Sequence, residues 1–193
     1  MVMKNYIMSL LSLIAVGQLY PLTKAEVALK LTNVKLVSTA LKDASEKMLG
    51  PSIQIMFESG TYPINPEGLK AWYYSIDSLK NLMNQYNAKK NPVWNTYFNK
   101  LEMISNDLIN AIKITYNSMF SPTSSMTMNV DNAVSMKEQL NAIITRISEI
   151  TQAVTKRSSK SVQEAMIKDI IYQFGAQLRT IASAAIYGIE FAG

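Results

Sequence analysis

The sequence predicts an all-α protein: an up-and-down bundle of four to five amphipathic helices, preceded by a cleavable N-terminal signal helix. Two observations carry the bundle. Apolar residues recur every three or four positions through most of the chain, which places them on one face of a helix. Between these stretches stand local stop and start signals: Gly50-Pro51, Asn65-Pro66, Asn91-Pro92 and Ser161-Val-Gln-Glu164. A third observation sets the opening apart. Residues 6–19 are uncharged and almost wholly apolar, follow Lys4, and are closed by Pro21 and Lys24.

That opening run is shorter than the roughly 20 apolar residues a helix needs to span a bilayer. A basic start, a short apolar stretch and a small residue before a charged one describe a secretory signal peptide. Cleavage after Ala25 is expected, giving a signal peptide over residues 1–25 and one helical domain over residues 26–193. The alternative is an uncleaved anchor or a first core helix. Removal of the segment takes away Lys4 and Lys24 but no acid.

The first helix is expected over 26–49, with Val27, Leu31, Val34, Leu41 and Met48 inward. Gly50-Pro51 should end it, because Pro cannot continue a helix and Gly suits its C-terminal turn. Ile53, Ile55 and Phe57 alternate as in a strand. No second strand is there to pair with them, so a short helix or an extended connector is expected. Asn65-Pro66-Glu67 combines an N-cap, Pro at the first helical position and an acid in the first turn. The face that follows is Leu69, Trp72, Tyr73, Ile76, Leu79, Met83 and Tyr86. Asn91-Pro92 opens the next helix, with Trp94, Phe98, Leu101, Ile104, Leu108, Ile112 and Met119 inward. Ser121 to Met128 reads as a hydroxyl-rich loop.

Asp131 is expected to cap a fourth helix with the cleanest stripe in the chain: Ala133, Met136, Leu140, Ile143, Ile147, Ile150 and Val154. Their 3–4 alternation is that of a bundle seam. Ser161 and Glu164 have the spacing of a capping box, in which hydroxyl and carboxylate satisfy free N–H groups. They open a last helix to about Tyr187, carried by Met166, Ile170, Phe174, Leu178, Ile181 and Ala185. Gly175 in its interior costs about 1 kcal/mol against Ala and permits a close helix contact.

Composition excludes several chemistries. The 193 residues contain no Cys and no His, so there is no thiol nucleophile, no imidazole base and no disulfide framework. No Gly-rich phosphate loop and no Gly-x-Ser-x-Gly elbow occurs. An enzyme would have to use carboxylates or Tyr, with Glu102, Asp107 and Asp169 nearest the inward stripes. No catalytic residue, cofactor or metal is assigned.

The net charge is +5 and the isoelectric point near 9.3. Arg occurs only at 146, 157 and 179, and the Lys residues are scattered, so nucleic acid is not an expected partner. Lys156, Arg157 and Lys160 form the tightest basic cluster and are the candidate contact to an anionic surface.

Aromatic residues crowd into 57–98. Trp72, Tyr73 and Tyr74 are consecutive and sweep about 200° of helix surface, so one neighbour cannot bury all three. Trp94 and Tyr97 pose a similar excess. These five are the candidate partner-binding residues, because rings supply large contact area with few rotors. The expected function is a secreted, non-enzymatic bundle that binds another macromolecule, most simply a protein. The alternative is a carrier of lipid or another apolar ligand, or a bundle active on membranes, with no transmembrane helix in the mature chain.

Overall fold

The computed structural model describes residues 23–59, 64–87, 90–119 and 130–192, and all of its described elements are helices. They are α1 (Lys24–Ser59), α2 (Pro66–Tyr86), α3 (Pro92–Met119), α4 (Val130–Lys156) and α5 (Val162–Ala192). Residues 1–22 of the expected signal segment lie outside the described residues.

Local chemistry sets several helix starts. Asn65 Oδ1 accepts from the N–H of Glu67 (2.9 Å) and of Gly68 (3.4 Å), as its position before Pro66 predicts. Asn91 Oδ1 accepts from Val93 N–H at 3.2 Å. At α5, Ser161 Oγ accepts from Glu164 N–H (3.1 Å), while the Glu164 carboxylate takes the N–H of Lys160 (2.7 Å), one residue earlier than a standard capping box. The start of α1 holds a box that the sequence reading passed over. Thr23 N–H donates to Glu26 Oε2 at 2.7 Å, and Thr23 Oγ1 accepts from Glu26 N–H at 3.2 Å. The backbone N–H of Thr23 first, and its hydroxyl second, hold the Glu26 carboxyl below the usual range. The boundary expected after Ala25 therefore runs between the two halves of this cap.

Two helix bounds differ from expectation. Gly50-Pro51 does not stop α1, which continues to Ser59. Pro51 removes one donor from the helix ladder, but tertiary contacts hold the chain at this level. Asn65 N–H donates to Met48 O at 3.1 Å, and Gly68 lies against the Lys47–Met48 backbone. The alternation of Ile53, Ile55 and Phe57 is accordingly part of a helix. At the other end, α5 runs beyond Tyr187 to Ala192.

Successive helices run antiparallel. Tyr86 Oη donates to Lys30 O across α1 and α2. Trp72 Nε1 donates to Ser105 Oγ at 3.0 Å, and Lys80 grips both Glu102 oxygens at 2.9 Å, across α2 and α3. Arg146 reaches Asp107 at 3.3 Å across α3 and α4. Lys137–Glu190 (2.8 Å) and Lys168 Nζ on Thr155 O (2.7 Å) tie the two ends of α4 and α5. This up-down-up-down-up course makes α1 and α5 parallel neighbours, where Ser45 Oγ meets Gln177 Oε1 at 3.2 Å. The last helix, α5, packs against all four others.

The core follows the predicted stripes of α3 and α4 closely. Trp94, Phe98, Leu101, Ile104, Leu108 and Ile112 are buried on α3, as are Ala133, Met136, Leu140, Ile143, Ile147 and Val154 on α4. Two inward assignments are corrected. Leu31 and Tyr73 are exposed, since each lies at the flank of its helix's buried sector. In α5 the buried sector is wider than a single stripe and adds Ile167, Ile171, Ala182 and Ile189.

Two glycines sit at close helix approaches. A β-carbon at 175 would collide with Thr151 Cγ2, a methyl group on α4. A β-carbon at 68 would lie 2.6–2.8 Å from backbone atoms of Lys47 and Met48. Gly175→Ala is therefore expected to lower stability by about 1–2 kcal/mol despite its better helix propensity. Thr151→Ser, which deletes the obstructing methyl, should recover that loss in the double variant. Gly68→Ala meets backbone and should cost at least about 2 kcal/mol. Denaturant titration of the four variants checks this: no coupling between positions 151 and 175 would contradict the packing described.

Burial pushes the Tyr86 phenol up to about 12. The unfolded chain ionises this group near pH 10 and the native chain two units later, so ionisation pulls toward unfolding between them. Stability should fall by about 2–3 kcal/mol more between pH 10 and 12 in the native sequence than in Tyr86→Phe. Equal slopes in pH-dependent urea melts would contradict it.

Candidate functional site

The five aromatic candidates do not gather into one site. Trp72 (0% exposed) and Trp94 (1%) are core residues, which corrects their assignment as partner-facing side chains. Trp72 is drawn inward because Ser105 of α3 accepts its indole N–H and Phe174 of α5 packs its ring at 6.1 Å. The indole N–H of Trp94 is buried without a hydrogen-bond partner among the described residues, and its ring meets Tyr97 at 6.3 Å. Tyr97 is half-buried at the edge of the core. The excess predicted for the Trp72-Tyr73-Tyr74 run falls on the two tyrosines: Tyr73 is 40% and Tyr74 59% exposed. They stand 100° apart on α2 and flank its buried sector on opposite sides.

A larger uncovered surface belongs to α1. From Lys24 to Asn33 no residue is buried, although Ala25, Val27, Ala28, Leu29 and Leu31 are apolar. Leu29 and Leu36 are each 58% exposed. They lie two turns apart, opposite the Val34–Leu41–Met48 stripe that faces the core. Sequence reasoning assigned one inward face to this helix and missed the second. Its signal was present in the apolar residues left over once the first stripe was taken out.

The acids do not converge. Glu102 is held by Lys80 and Asp107 by Arg146. Asp169 lines a groove of about 420 Å³ between α1 and α5, together with Lys35 and Lys42. Among the described residues, no group of three or more acids is placed to hold a metal ion. No described helix is long and apolar enough to cross a membrane.

The basic cluster stays together. Lys156 ends α4, and Arg157 and Lys160 follow in the exposed turn. Lys168 is pinned beneath them, donating to Thr155 O (2.7 Å) and Arg157 O (3.0 Å). Lys156 also lines a groove of about 330 Å³ between α4 and α5.

Comparison with protein-family models, with curated proteins and with solved structures finds no match to this chain.

Proposed function

We propose that this chain is an exported, non-catalytic helical bundle that works by contact with a protein partner, and that α1 and α2 carry the contact surface. The observation that supports it most is the start of α1, nearly three helical turns rich in apolar side chains, in which Val27 packs at the edge of the core while Leu29 and Leu31 stay exposed. Buried apolar area is the main driving force of association, at roughly 25 cal/mol per Å² removed from water. A helix that keeps Leu29 and Leu36 opposite its own core stripe forgoes that stabilisation unless something covers them. Tyr73 and Tyr74 add two exposed rings on the neighbouring helix, with the amphipathic character common at interfaces. The absence of Cys and His from the chain, and the separate engagement of Glu102 and Asp107, support a non-catalytic role. Export rests on the Lys4 start and the apolar run over residues 6–19.

Two substitutions on this surface test the reading. Leu29→Glu with Leu36→Glu removes the outer apolar pair without touching the core stripe, so the fold should be retained by circular dichroism. Affinity capture from the producing organism's extracellular fluid should retain a saturable protein partner on the native chain and lose it on the double variant. Retention equal on both forms, or recovery of bound lipid with no protein, would overturn the assignment. The intact mass of the exported protein checks the remaining element: a chain that keeps residues 1–25 would contradict processing.

A further inference from the structure

We propose that the groove between α4 and α5 is a binding site for an acidic linear carbohydrate. The α4 wall presents Ser148, Gln152, Thr155 and Lys156, spaced by four, three and one residues so that all fall within one sector of about 100°. The α5 wall presents Tyr172 and Arg179, two turns apart on one face. The close contact of Gly175 with Thr151 holds the helices together between these levels.

Three properties of this groove select the ligand. The first is charge. Lys156 and Arg179 line it, and no carboxylate does. Neither cation takes part in the four ion pairs among the described residues. Arg157 and Lys160 extend the positive end into the turn. The second is spacing. Helix antiparallelism places Arg179 level with Ser148, and Lys156 lies eight residues further along α4, about 12 Å away. That backbone spacing lets a chain carrying repeated anionic groups meet the two cations in succession. The third is what lies between. Thr151 and Thr155 Oγ1 donate their protons to backbone carbonyls, at 3.0 and 2.7 Å, leaving oxygen lone pairs as acceptors for ligand hydroxyls. Tyr172, 48% exposed, offers a ring face and a phenolic hydroxyl. Alternating cations, hydroxyl acceptors and an aromatic face suit a sugar chain with sulfate or carboxylate groups. A flat anionic membrane would leave the recessed hydroxyls unused.

This site uses helices other than those of the proposed protein contact and stands or falls separately. The probe is a heparin-derived sulfated octasaccharide, titrated calorimetrically into the full chain. Saturable binding is expected, with affinity falling as salt rises because bound phosphate-like charges release counterions. Lys156→Gln with Arg179→Gln should weaken it at least about tenfold, about 1.4 kcal/mol, since both charged hydrogen-bond donors are lost. Tyr172→Ser should also weaken it. Lys70→Gln with Lys100→Gln removes the same charge elsewhere and should leave affinity within about twofold. Equal loss in both double variants would reduce the effect to net charge and overturn the site. Full competition by millimolar inorganic sulfate would overturn the extended ligand. Binding to equimolar phosphatidylserine–phosphatidylcholine vesicles that depends on Lys156 and Arg179, without octasaccharide binding, would assign the groove to a membrane surface instead.

Discussion

Phe174 occupies the point on which the bundle's assembly depends. Its ring lies 6.1 Å from Trp72 of α2 and 5.3 Å from Phe98 of α3, so three helices meet at one fully buried side chain. The next residue, Gly175, carries no side chain, and α4 closes onto it at Thr151. One turn of α5 thus fixes three neighbours, and Gln177 two residues later reaches α1 through Ser45. The pairs Met166–Ile167, Ile170–Ile171 and Ile181–Ala182 are buried together. Adjacent residues point about 100° apart, so these pairs require packing on more than one side. The last helix of the chain is the axis around which the first four are arranged.

Much of this order is written locally. Helices α3 and α4 were legible because each buries one sector, and a single 3–4 stripe describes one sector completely. The starts at Asn65-Pro66 and Asn91-Pro92 were legible because capping needs only neighbouring residues. What was not legible depends on distant partners. Gly50-Pro51 has the composition of a helix end, yet α1 runs through it while Asn65 and Gly68 grip the backbone just before it. The width of α5's buried sector could not be read from its stripe, because Ile167 and Ile171 become core only when a second neighbour arrives. The run Trp72-Tyr73-Tyr74 announced an excess of rings. Which ring went inside was decided by Ser105, 33 residues away.

The candidate sites divide the same way. Lys156, Arg157 and Lys160 fall within five consecutive positions and were visible as a cluster. Arg179 joins them only through the antiparallel pairing of α4 and α5 around Gly175, which no local pattern states. The surface of α1 is apolar on two sides, and a search for one inward face conceals the other. Two surfaces of opposite character result: an apolar one on α1, and a cationic, hydroxyl-rich groove between α4 and α5. Both suit contact, and neither brings acids together for proton transfer.

Helix α5 organises the bundle, while the weakly packed start of α1 contributes little to its stability. Native-state hydrogen exchange tests it residue by residue, because amides exchange through openings whose free energies range from near zero at weakly packed ends to the full unfolding value in the core. Amides of residues 167–182 should exchange only through global unfolding, and those of residues 27–33 through openings at least about 2 kcal/mol easier. Equal protection at the two places, or α5 opening before α3 and α4, would contradict it.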